Sequence, residues 1–110
     1  MKGRFRWGAS LFLLILMVTT ITGCAASKAV DTAEEIVEKA RELHADYLAP
    51  YEFRSAELYL IEAQNQLEES DFVAAKLFAE KALLKGQAAY RKAVEKQTQL
   101  KVSDNKGQNQ

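Results

Sequence analysis

Cys24 is the chain's only cysteine, and its thiol is the one side chain whose neighbours point to a defined covalent chemistry. It follows Ile21-Thr22-Gly23, with an aliphatic residue at minus three, a small residue at minus two and glycine at minus one. Upstream lie a basic start (Lys2, Arg4, Arg6) and an apolar run from Leu11 to Val18. Other chemistry finds little support. His44 is the only histidine; with no second histidine and no carboxylates at ligand spacing, a metal site is not expected. Glu34, Glu35, Glu38 and Glu42 read as a solvated helix face rather than a catalytic cluster. No glycine-rich phosphate loop, serine nucleophile elbow or H-E-x-x-H motif occurs. The chain reads as a non-enzyme without a bound cofactor.

The run Ile21-Thr22-Gly23-Cys24 resembles the lipobox of bacterial lipoproteins. The resemblance implies cleavage before Cys24 and a diacylglycerol plus an N-acyl chain on that residue. Residues 1–23 then form a lipoprotein signal peptide and are set aside before the fold is read. The apolar stretch 10–21 is about 12 residues long, whereas a spanning helix needs about 20; an uncleaved signal anchor is the alternative. Ala25, where an aspartate would retain a lipoprotein at the inner membrane, implies the outer membrane facing the periplasm in a Gram-negative host. Such an anchor is strong, because each buried methylene contributes about 0.8 kcal/mol and two or more chains act together.

Without residues 1–23 the chain keeps 12 basic and 15 acidic residues, a formal charge of −3, which offers nothing for nucleic acid. Residues 24–28 form a short lipidated tether. Beyond it, an Ala-, Glu-, Lys-, Leu- and Gln-rich composition favours helix, and the pattern predicts an all-α domain over 29–101 built from three helices. The first spans about 29–48, with Val30, Ala33, Val37, Ala40 and Tyr47 on its apolar stripe. The second spans about 50–69, opened by Pro50, with Phe53, Ala56, Leu60, Ala63 and Leu67 as its stripe. The third spans about 72–101, capped by Ser70 or Asp71. Its stripe of Phe72, Ala75, Ala79, Ala82, Gly86, Ala89 and Ala93 lets helix backbones approach closely. Residues 102–110 hold little to bury and are expected to be disordered. The third helix is basic and the first two acidic. Either opposite charges line an antiparallel seam, or the basic face meets an anionic lipid or acidic partner.

The stretch 70–83 resembles the second half of a tetratricopeptide repeat, with Tyr59 and Ala63 on the preceding helix and Ala75 and Ala82 at the small positions. This implies an antiparallel helical hairpin. The unit occurs once, so the peptide groove of a repeat array is not implied. Leu48-Ala49-Pro50-Tyr51-Glu52, with Ala56, Ala63, Asp71-Phe72, Ala75, Ala79 and Ala82, resembles the family catalogued as domain of unknown function 4398. Its members are alanine-rich helical lipoprotein domains, and no activity comes with the resemblance. Tyr47, Tyr51 and Phe53 cluster around Pro50, either as a packed corner or as a surface for a partner protein. The expected role is a membrane-anchored structural or protein-interaction module of the cell envelope, docking an envelope protein or a second copy. A peptidoglycan-associated spacer and a lipid-binding lipoprotein are the alternatives.

Overall fold

Small residues at alternating three- and four-residue spacing decide how the helices meet. The computed structural model describes residues 2–109, and the side chains of residues 6–18 and 23–109. The described residues form helices joined by short turns: α1 (Lys2–Glu42), α2 (Ala45–Leu48), α3 (Pro50–Glu68) and α4 (Phe72–Gln108). Ala26, Val30, Ala33, Val37 and Ala40 are buried on α1; Phe53, Ala56, Leu60 and Ala63 on α3; Ala75, Ala79, Ala82, Gly86, Ala89 and Ala93 on α4. A mean spacing near 3.5 residues keeps one stripe against its neighbour over many turns.

α4 packs against both α1 and α3 more extensively than those two pack against each other. α1 runs parallel to α4: Gly23 meets Phe72, and Ile36 meets Gly86. α3 runs antiparallel to α4, with Glu52 paired to Lys92 and Tyr59 stacked on Phe78. The result is an up–down–up bundle drawn out into a rod of 93 × 20 × 14 Å. The all-α class, the buried stripes and the antiparallel second and third helices agree with the sequence reading.

Close approach is tightest at Gly86. A β-carbon there would stand 2.8 Å from Ile36 Cγ2 and 3.6 Å from Val37 Cγ2. Ile36 is β-branched and stiff at χ1, so it has little freedom to yield.

Two of the three junctions use a left-handed residue, His44 and Ser70. Ser70 has φ 63°, its N–H donates to the Leu67 carbonyl and the Asp71 N–H to the Gln66 carbonyl. This paired pattern closes a helix C-terminus and usually employs glycine. Asp71 then caps α4, its Oδ1 accepting from the Ala74 N–H at 3.1 Å.

Three boundaries differ from the sequence reading. The first helix does not run unbroken to residue 48: it ends at Glu42, His44 takes φ 57°, and α2 restarts at Ala45. The break turns the chain so that Ala45 and Ala49 bury fully, and it puts Tyr47, expected on the apolar stripe, at 83% exposed. Residues 24–28 lie within α1 instead of forming a separate tether. α4 continues to Gln108 through residues expected to be disordered. These carry no apolar load, but extending an existing helix adds one hydrogen bond per residue without a new nucleus.

Gly86→Ala is expected to lower stability in urea unfolding by about 1 kcal/mol, because overpacking costs about 1–3 kcal/mol and exceeds the helix-propensity gain of about 1 kcal/mol. In an Ile36→Ala background the same change should be neutral or stabilising. Ser70→Gly should raise the unfolding free energy measured in urea by roughly 0.5–1 kcal/mol, since it relieves the left-handed strain of a residue with a β-carbon.

Candidate functional site

Cys24 is exposed on α1 and its thiol is free. It sits at a sharp change in surroundings. Ala26, two residues on, is 1% exposed and opens the buried stripe. On the other side, Leu11 to Val18 are all more than half exposed. By length and composition, this N-terminal part of α1 is apolar enough to cross a membrane, a test that a signal sequence also passes. Gly23 is the last residue before Cys24 and rests on the Phe72 ring, whose Cζ would lie 3.5 Å from a β-carbon built there. The side chains of Ile21 and Thr22, expected with Gly23 to form the lipobox, lie outside the described residues. Beside Cys24, a shallow groove is lined by Ala25, Phe72, Val73, Lys76, Leu77 and Glu80. Among the described residues no group of His, Cys, Asp and Glu side chains is placed to hold a metal.

The second candidate region lies at the opposite end, where α1 turns into α3. α1 and α2 end with carbonyls that lack helical partners, and α4 supplies them. Gln97 Nε2 donates to the Leu43 carbonyl at 2.9 Å, and Lys96 Nζ donates to the Leu48 carbonyl at 2.5 Å. A cation at a helix C-terminus also opposes the helix dipole favourably. Pro50 occupies the first turn of α3, where its missing N–H costs nothing.

Glu52 Oε1 accepts from Lys92 Nζ at 2.9 Å. That hydrogen bond, with a backbone hydrogen bond at the head of α3, holds the Glu52 carboxyl below the usual carboxylate range. Arg41 ties α1 to α3: its guanidinium donates to Glu57 Oε1 at 2.8 Å and to Glu38 Oε2 at 2.7 Å, and it covers the Phe53 ring at 5.6 Å. The bond to Glu57 raises its pKa further. None of these four α4 and α1 side chains stood out in the sequence. Lys96 and Gln97 act on main-chain carbonyls some fifty residues away, which leaves no pattern to read.

The aromatic cluster around Pro50 is divided. Phe53 is 2% exposed, so it is a core residue and not part of a partner surface: it lies on the α3 stripe under Arg41. Tyr47 and Tyr51 are 83% and 71% exposed, with Lys85 Nζ 5.5 Å from the Tyr51 ring. Along the α3–α4 hairpin, Ala63, Ala75 and Ala82 are fully buried. Tyr59 stacks on Phe78 with centroids 6.4 Å apart, and Lys81 stands over both rings. His44, expected inside a helix, is exposed in the turn.

Because the Glu52 carboxyl is held low, its contribution to stability is complete above the ordinary carboxylate pKa and is lost as pH falls through the lowered value. Thermal midpoints followed from neutral to acid pH should therefore drop less for Glu52→Gln than for the wild type over that window.

The sequence profile of the family described as a domain of unknown function (DUF4398) matches residues 28–104. No curated protein and no solved structure matches the chain. The matched span runs from just before the first valine of the α1 stripe, through the α3–α4 hairpin, into the exposed end of α4, and on that extent the chain belongs to the DUF4398 family.

Proposed function

We propose that this protein is a lipoprotein of the cell envelope, held by acyl chains on Cys24 and acting as a structural or protein-interaction module without catalysis. One observation carries the reading. Among the described side chains, the apolar segment is exposed through Val18 and burial begins at Ala26, so Cys24 lies in the boundary between them. The buried core side chains that are described all lie after Cys24, so the fold is compatible with the processing that the lipobox pattern implies. In a Gram-negative host, Ala25 favours the outer membrane, facing the periplasm.

The corner is the surface best suited to a protein partner. Cys24 lies about 27 Å from the end of α1, at 1.5 Å per residue. An anchor at Cys24 therefore presents Tyr47 and Tyr51 away from the bilayer. Exposed tyrosines are common interface anchors. The antiparallel α3–α4 hairpin, with small residues at Ala63, Ala75 and Ala82, supports a tetratricopeptide-like presentation of that surface.

In cells fed labelled palmitate, the wild type should incorporate label and lose its first 23 residues, while Cys24→Ser should do neither; an unlabelled wild type of precursor mass would sink the reading. For the corner, Tyr47→Ser with Tyr51→Ser should leave the thermal midpoint within the roughly 0.5 kcal/mol typical of surface changes and abolish crosslinks formed in intact envelopes.

A further inference from the structure

The end of the bundle beside Cys24 carries apolar side chains that packing does not explain. Val73 is 82% exposed and Leu77 51%, one turn apart on the outer face of α4. With Phe72 they line a groove whose α1 wall is Ala25, the residue that follows Cys24. Hydrolysis of the Gly23–Cys24 peptide bond would also take Gly23 off the Phe72 ring, leaving one face of that aromatic side chain uncovered. Processing thus enlarges the apolar surface at the point where the anchor leaves the protein.

We propose that Phe72, Val73 and Leu77 form a second, non-covalent membrane contact, which seats this end of the bundle in the interfacial layer of the bilayer that holds Cys24's acyl chains. The proposal rests on the reading of Cys24 as the anchoring residue. The anchor decides the occupant: a groove that begins at the adjacent residue lies at the bilayer surface whenever the lipid is inserted. Apolar area, not charge, drives the contact. Lys28 and Lys76 lie on this end, but Glu68, Glu69 and Asp71 crowd the neighbouring turn and leave no net attraction to anionic lipid. A two-point attachment then fixes the rod's orientation, where acyl chains alone would let it swivel.

Trp7 is the chain's only tryptophan and leaves with residues 1–23, so one introduced tryptophan reports on the mature protein. Val73→Trp and Leu100→Trp, each made as the full chain and purified after processing, are reconstituted into phosphatidylcholine vesicles with or without bromine on the acyl chains. Leu100 is exposed and about 40 Å along α4 from Val73 at 1.5 Å per residue. Brominated lipid should quench the Val73→Trp emission by about twofold, as expected for a ring held about 5–10 Å into the headgroup–acyl boundary, and raised salt should not reverse it. The Leu100→Trp emission should be unaffected. Unquenched emission from Val73→Trp on protein whose intact mass shows acylated Cys24 overturns the contact and leaves the anchor standing. Equal quenching of both variants overturns it in favour of a rod lying flat. A blue shift that follows protein concentration but ignores bromine overturns it in favour of a second copy. An intact mass without acyl chains removes the anchoring reading itself, and the contact with it.

Discussion

How closely α1 and α4 approach sets the rest of the molecule. At Gly86 there is no room for a methyl group against Ile36, and the alanines on either side keep the helices at a similarly short separation. Backbones brought this near touch through Cα, Cβ and main-chain atoms. Each such contact is worth only about 0.1–0.2 kcal/mol, so the seam stabilises by its length. A bundle built this way buries little area per residue. Of its fully buried side chains the largest is Val37; Phe53 and Leu60, nearly buried, add volume beside it. The helices therefore have to be long, and the molecule becomes a rod whose transverse extents are 20 and 14 Å.

A seam of small residues is weak at specifying register, because one alanine fits another's place. The ends do that work. Gly86 against Ile36, and Lys96 with Gln97 against the Leu48 and Leu43 carbonyls, fix α4 relative to α1 and α2 at its middle and end. Sliding α4 by one heptad would keep alanine on alanine but would drive a β-carbon into Ile36 and strand two groups of helix-terminal carbonyls. The α3 register is held separately by Glu52 with Lys92 and Arg41 with Glu57. The charge division between helices is thus only partly an electrostatic seam. Lys92 pairs across it, whereas Lys81 and Lys85 lie over aromatic rings.

What the sequence made legible was whatever is encoded locally. The alanine stripes, Pro50 in the first turn of α3 and the Asp71 cap each follow from a few neighbouring residues, and each stands where the spacing placed it. The break at His44 was not legible. Nothing between residues 29 and 48 interrupts helical periodicity, and the left-handed turn is supported by Lys96 and Gln97, which are distant in sequence. The misplacement of Tyr47 follows from that one omission, since a stripe continued across the break points to the wrong side. Phe53 shows the opposite limit. Its spacing marked it as core and its neighbours marked it as part of an aromatic patch; burial under Arg41 decides for the core.

The family match runs from residue 28 to residue 104, so it covers the helical bundle from α1 through α4. Within Ala49-Pro50-Tyr51-Glu52, three of the four residues serve the fold. Ala49 is buried at the corner, Pro50 starts α3, and Glu52 binds Lys92. The fourth, Tyr51, faces solvent. Membership in a family of unknown function brings no partner with it. The proposed partner surface therefore rests on Tyr47 and Tyr51, exposed side chains that stand outside the buried core.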